Sequence, residues 1–185
     1  LAIGLGLGAI GYALQAGLFF GALERIDVSV LSLLLYTYPA GVTIGALLLG
    51  REAPDAARFG ALALASAGLA LVLLGPGGDA LGAVMGLAAA GVYTSYILVS
   101  DRVVGAMPPL GLSALVMSGA AATVVPASLA LGRFQPGAVS AAGFGWIAGI
   151  ALISTVAAVV LFFAGLHRVG PSAAAILSTF EPVVT

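Results

Sequence analysis

The 185-residue chain contains no cysteine and no lysine, one histidine, and charged side chains at only 7% of its positions. Without cysteine there is neither a disulfide framework nor a thiolate metal site. The single histidine, His167, has no second imidazole with which to share a metal ion, and it is read as a solvated loop residue. Six arginines against seven carboxylates leave a net charge of −1, which offers no basic patch to a nucleic acid. No Walker sequence is present, so an ATP-driven pump has no support. The run Gly4-Leu5-Gly6-Leu7-Gly8-Ala9 follows no strand and lacks the later acidic residue of a dinucleotide loop. No cofactor is therefore expected.

What fills the chain is apolar. Hydrophobic residues make up 62% of it and the mean hydropathy is +1.22. Soluble domains carry roughly 25% charged residues, so a chain this poor in charge must turn its surface to lipid. The 27 glycines are interspersed with Leu, Ala and Val, where they allow membrane helices to approach closely. Gly4, Gly6, Gly8, Gly82 and Gly86 are the positions expected to form such small-residue faces. A start at Leu1 and an end inside an apolar segment at Thr185 are expected of a fragment. The first apolar stretch has no basic flank and is too long for a cleavable signal peptide.

A bilayer core of about 30 Å needs ~20 apolar residues per helix. Seven segments answer to that: 1–23, 28–49, 56–74, 80–100, 108–131, 143–166 and 172–185, the last truncated. The intervening breaks hold nearly all the charge and the prolines Pro54, Pro76, Pro108, Pro109, Pro136 and Pro171. Loops after the second, fourth and sixth spans carry Arg51, Arg58, Arg102 and Arg168, against Arg25 and Arg133 on the opposite side. The positive-inside rule puts the first set in the cytoplasm.

The segment 18–25, Leu-Phe-Phe-Gly-Ala-Leu-Glu-Arg, resembles the segment 161–168, Leu-Phe-Phe-Ala-Gly-Leu-His-Arg, at an offset of 143. The same register pairs Ser29 with Ser172, Leu34 with Leu177 and Pro39 with Pro182. Five crossings separate the copies, so they run through the membrane in opposite directions. Inverted-topology repeats of this kind are a recurring architecture of secondary transporters.

Two stretches also resemble a known family. Leu35-Tyr36-Thr37-Tyr38-Pro39, followed by Leu49-Gly50-Arg51-Glu52 and a Gly- and Ala-rich span, is similar to the first half of an EamA-type drug/metabolite transporter. Gly170-Pro171-Ser172-Ala173, leading to Leu177-Ser178-Thr179-Phe180-Glu181-Pro182-Val183, resembles the matching part of the second half. The resemblance implies an all-α polytopic helical bundle of ten helices in two inverted repeats, with both termini cytoplasmic. Residues 1–75 would then be the C-terminal part of the first repeat, with three helices. Residues 80–185 would be the N-terminal part of the second, with four helices. It implies a multi-pass protein of the cytoplasmic membrane that exports amino acid-like or related small solutes by alternating access.

Within that frame a few residues stand out. Glu181 is the only charged side chain inside an apolar span. A carboxylate there costs roughly 2.5–3.5 kcal/mol on insertion scales, so it must face a cavity, a partner or a proton. It is the candidate for proton coupling or for contact with a substrate amine, against a structural role bonding to backbone freed by Pro182. Pro39 and Pro182 each remove a helical hydrogen bond and should kink or break their helices around the central cavity. Tyr36 and Tyr38 lie mid-span, and Tyr93 and Tyr96 share a helix face; all four are candidate lining residues by resemblance, with interfacial anchoring as the alternative for Tyr96. Gln15 should face other helices, through interhelical bonding or solute contact. Trp146 is read as an interface anchor.

The partners expected are a small organic solute, protons as the coupling ion if coupling is used, and the lipid bilayer. The sequence favours neither monomer nor dimer. An intramembrane enzyme would need paired catalytic groups, and one intramembrane acid without intramembrane His, Lys or Asp does not supply them. A non-transporting scaffold or sensor built on the same repeats is the alternative to a carrier.

Overall fold

The computed structural model describes residues 1–51, 56, 60, 79–133 and 136–178. Among these residues the regular structure is helical throughout. Among the described residues, five helices are long and apolar enough to cross a membrane: α1 (Ala2–Leu23), α2 (Val28–Leu48), α3 (Ala80–Val104), α4 (Pro109–Ala130) and α5 (Ala141–Val169). A shorter helix, α6 (Pro171–Ser178), follows directly. The expected span 56–74 falls outside the described residues except at Ala56 and Gly60, and Glu181 and Pro182 lie outside them entirely.

Helix ends depart from the sequence reading in one direction. α3 runs on to Val104 and α5 to Val169, so Asp101, Arg102, His167 and Arg168 belong to last turns and not to loops. Basic side chains there face the negative end of the helix dipole, and the helix continues past the apolar stretch at little cost. A methyl group on Gly105 would lie 3.9 Å from the His167 ring, so the ends of α3 and α5 lie together. Trp146 projects from the start of α5 with 77% of its surface exposed.

Two interruptions are shared by α1 and α5. A π-helical segment occupies Leu7–Tyr12 in α1 and another Ile150–Ala157 in α5. They begin 143 residues apart, and so do α2 and α6, at Val28 and Pro171.

The chain divides into two compact units, each drawing on both halves of the sequence. The first comprises Leu1–Ala13 with Ser100–Val169. Here the start of α1 lies against α4 with almost no side chain between them. A methyl group on Gly8 would fall on the Val116 carbonyl oxygen, and one on Gly119 on the Leu5 carbonyl oxygen. Gly4 instead meets the Leu115 side chain, which a methyl group would approach to 3.0 Å, whereas Gly6 faces open space. Membrane helices gain little from the hydrophobic effect against each other, so such close backbone approach supplies much of their adhesion. The last stretch of α5 packs on α4 as well, where Leu112, Val116, Phe163 and Leu166 are fully or almost fully buried. Hydroxyls on α4 donate back to their own helix, Ser113 to the Pro109 carbonyl at 2.8 Å and Thr123 to the Gly119 carbonyl at 3.3 Å.

The second unit comprises Leu14–Val99 with Gly170–Thr185. Glycines again set the spacing. Gly82 sits against Arg25 and Ile26, Gly86 against Leu31 and Leu34, and Gly41 and Gly45 against Thr94 and Leu98 of α3. α2 ends on Gly50, whose φ of +66° suits glycine, and the Arg51 amide closes the end by donating to the Ala46 carbonyl. The Arg51 guanidinium then reaches the Leu98 carbonyl of α3 at 2.7 Å.

Asp79 begins α3 and serves two partners. One oxygen accepts from the Leu81 and Gly82 amides, at 2.8 and 3.4 Å, and the other accepts from Arg25 at 3.0 Å. The Arg25 hydrogen bond and then the Leu81 amide hold its carboxyl below the usual carboxylate range. A lowered value means that the ionised form stabilises the fold above the ordinary carboxyl range and stops doing so as the pH falls through the lowered value. Asp79→Ala is therefore expected to lower the unfolding temperature at neutral pH, and the gap to the parent protein should close in acid. Unfolding scans over a pH series check both parts. A gap that persists unchanged in acid would show that the carboxylate charge contributes nothing.

Candidate functional site

The site is built around the interruption of α2. Pro39 has no amide hydrogen, so the Leu35 carbonyl loses the donor it would have in a continuous helix. The α-helix stops at Leu35 and resumes at Tyr38. Thr37 closes the first half, since both its amide, at 3.2 Å, and its hydroxyl, at 2.7 Å, donate to the Leu34 carbonyl. The second half starts with Tyr38 and Pro39, both buried, the proline occupying a first-turn position where its missing donor is harmless.

The four tyrosines singled out in the sequence form one connected group in this unit. Tyr38 is 3% exposed, and its ring lies edge-on to Tyr93 of α3 with centroids 4.7 Å apart. The Tyr36 ring lies 6.4 Å from that of Tyr38, tilted by 36°. Tyr96 stacks beside Tyr93 at 6.0 Å, as their three-residue spacing on one helix requires. Tyr38 and Tyr96 are buried, while Tyr36 and Tyr93 keep part of their surface exposed. Edge-to-face and offset rings of this kind attract one another through their quadrupoles and hold a fixed geometry.

Tyr38 is also linked to α6 and to Thr94 of α3. Its hydroxyl donates to the Ala175 carbonyl of α6 at 3.3 Å, and its own carbonyl accepts from the Thr94 hydroxyl at 3.3 Å. Sequence reasoning did not find either partner. Thr94, a polar side chain between two tyrosines on an apolar helix, carried a readable signal. Ala175 contributes only a backbone oxygen, which no side-chain pattern reveals.

Gln15 is half-buried in α1, and neither the ring contacts nor the hydrogen bonds of the tyrosine group extend to it. Among the described residues no group of His, Cys, Asp or Glu side chains could hold a metal ion. The four tyrosines and Thr94 form an aromatic, hydroxyl-bearing patch beside a broken helix. Such a patch can bind by ring contact and neutral hydrogen bonds.

The model of a family described as EamA-like transporter family matches residues 80–185, more than half of the chain. No curated protein and no solved structure matches it.

Proposed function

Because the chain belongs to the EamA-like transporter family, we propose that it carries a small organic solute, amino acid-like or related, out across the cytoplasmic membrane by alternating access. The family match carries this reading. Five helices long and apolar enough to span a bilayer make the chain a multi-pass membrane protein. Residues 1–75 and 80–185 are read as parts of two inverted repeats. The match beginning at residue 80 supports that division, as does the common offset of 143 in the two π segments and in the starts of α2 and α6.

The solute contacts proposed are Tyr36, Tyr38, Tyr93 and Tyr96 beside the Pro39 break, with Gln15 as an additional polar group. Pro182 is proposed to interrupt its helix as Pro39 does, and Glu181 beside it to carry the coupling proton or meet a solute amine. Proteoliposomes containing the purified protein should show saturable counterflow of at least one solute in a panel of amino acids, sugars and nucleosides. Absence of saturable flux for the whole panel would favour the scaffold or sensor reading. Glu181→Gln should abolish the pH dependence of that flux; a variant with full pH-dependent activity would remove Glu181 from the mechanism.

A further inference from the structure

α3 touches both halves of the interrupted α2. Gly86 of α3 admits Leu31 and Leu34 of the first half, and Gly41 and Gly45 of the second half admit Thr94 and Leu98 of α3. At Pro39 the backbone of α2 lacks a donor, so it constrains the angle between the halves less than a continuous helix would. Thr94 acts on the first residue after the break, where its hydroxyl donates to the Tyr38 carbonyl at 3.3 Å. A helical side chain covers the turn N-terminal to its own Cα, and glycine at position 41 leaves that carbonyl bare. A methyl group on Gly41 would lie 2.6 Å from the Thr94 oxygen and 3.2 Å from its methyl carbon. The threonine therefore reaches the carbonyl through a notch that only glycine provides. Other helical hydroxyls take a simpler course. Thr43, Ser95, Ser113, Thr123 and Ser178 each donate to the carbonyl four residues back in their own helix. Thr94 has the same option at Ala90 and crosses to α2 instead. Its neighbour Tyr93 lies edge-on to the Tyr38 ring, so adjacent residues of α3 hold Tyr38 by backbone and by ring.

We infer that Thr94 is a positioning residue for the tyrosine group. It pins the start of the second half of α2 to α3, and so sets how Tyr36 and Tyr38 stand against Tyr93 and Tyr96. The pin consists of a hydroxyl at Thr94 and a missing side chain at Gly41, and it acts on a solute through the tyrosines. Its effect on transport rests on the reading of those tyrosines as solute contacts.

The chain has five tyrosines, and replacing them all with 3-fluorotyrosine gives each a fluorine resonance, assigned by single Tyr→Phe changes. Thr94→Val keeps the shape of the side chain and removes the donor. In detergent micelles it should displace the Tyr38 and Tyr93 resonances, whose rings shield one another, and leave that of Tyr12 in place. Thr94→Ser keeps the donor and should hold the parent positions. Gly41→Ala covers the carbonyl and should displace the same two resonances. Ser95→Ala removes a hydroxyl that serves its own helix and should displace neither. In proteoliposomes given radiolabelled L-amino acids, sugars and nucleosides, Thr94→Val should raise the half-saturation concentration for counterflow about two- to five-fold, the worth of one neutral bond. The maximal rate should stay unchanged, because saturating solute restores the competent arrangement. Unmoved Tyr38 and Tyr93 resonances in Thr94→Val overturn the pin, even where the unfolding midpoint falls, and equal displacement in Thr94→Ser overturns it too. If the valine variant does not fold, Gly41→Ala is judged by the same two resonances. Displaced resonances with an unchanged half-saturation concentration overturn its role in transport. Displaced resonances with no saturable flux in the parent protein uphold the pin and defeat the transporter reading alone.

Discussion

Replacing Gly8 by leucine is expected to abolish folding of the helical bundle, and replacing it by alanine to destabilise it by about 1–3 kcal/mol. At Gly8 an added carbon would lie 2.7 Å from the Ala120 amide nitrogen and closer still to the Val116 carbonyl oxygen. Backbone cannot swing aside as a side-chain tip can, so α1 and α4 must separate along their length. Separation removes the close contact that adheres helices where water exerts no drive. Gly119→Ala should act alike, because it presses on the Leu5 carbonyl from the other side of the same crossing. The double variant should cost less than the sum, since one separation relieves both clashes. Gly6→Ala is the control. It faces open space, and exchanging glycine for the better helix former should be neutral or stabilising by up to about 1 kcal/mol. Equilibrium unfolding in mixed micelles measures the four alanine variants. A Gly8→Ala protein as stable as the parent would show that the α1–α4 crossing is looser than its geometry states.

Phe163→Ala is expected to destabilise the protein by about 2 kcal/mol, while the same change at Phe20 should cost under about 0.5 kcal/mol. The two phenylalanines occupy equivalent positions in the sequence repeat, yet Phe163 is fully buried and Phe20 is 63% exposed. In a water-soluble core Phe→Ala costs roughly 3–5 kcal/mol, part of which is the transfer of apolar surface from water. An unfolded membrane helix keeps that surface in lipid, so chiefly the cavity and the lost packing remain. Unfolding midpoints of the two variants in the same detergent check the contrast, and equal losses would refute the difference in burial.

Much of the fold was legible because a bilayer imposes length and apolarity on each span, and both are one-dimensional properties of sequence. The charged helix ends were misjudged. Arg102, His167 and Arg168 were read as loop residues, but the dipole of a helix end welcomes them and the helix simply continues. The break in α2 was legible from Pro39, and it lies ahead of the proline because the carbonyl four residues earlier is the one deprived. The shared face of Tyr93 and Tyr96 followed from their spacing. That Tyr38 would meet them could not be read, since it depends on how closely α2 and α3 approach. The four-residue spacing of Gly41 and Gly45 matches that of Gly82 and Gly86 and carried the same signal, although only the latter pair was among the expected small-residue faces. The bond to Ala175 had no signature, because any residue carries a carbonyl.

If the two halves are copies, the π segments of α1 and α5 also carry history. Each widens the helix by an extra residue's worth of backbone, which on an ordinary helix would rotate everything beyond it by about 100°. On the two-copy reading, both interruptions begin at the same register, at Leu7 and Ile150. Two independent insertions at one register are a less economical account than one insertion already present in the ancestral half before it was duplicated. On that account the sequence around the segments has diverged, with Phe20 and Phe163 in opposite environments. The irregular winding would then have outlasted the side chains around it.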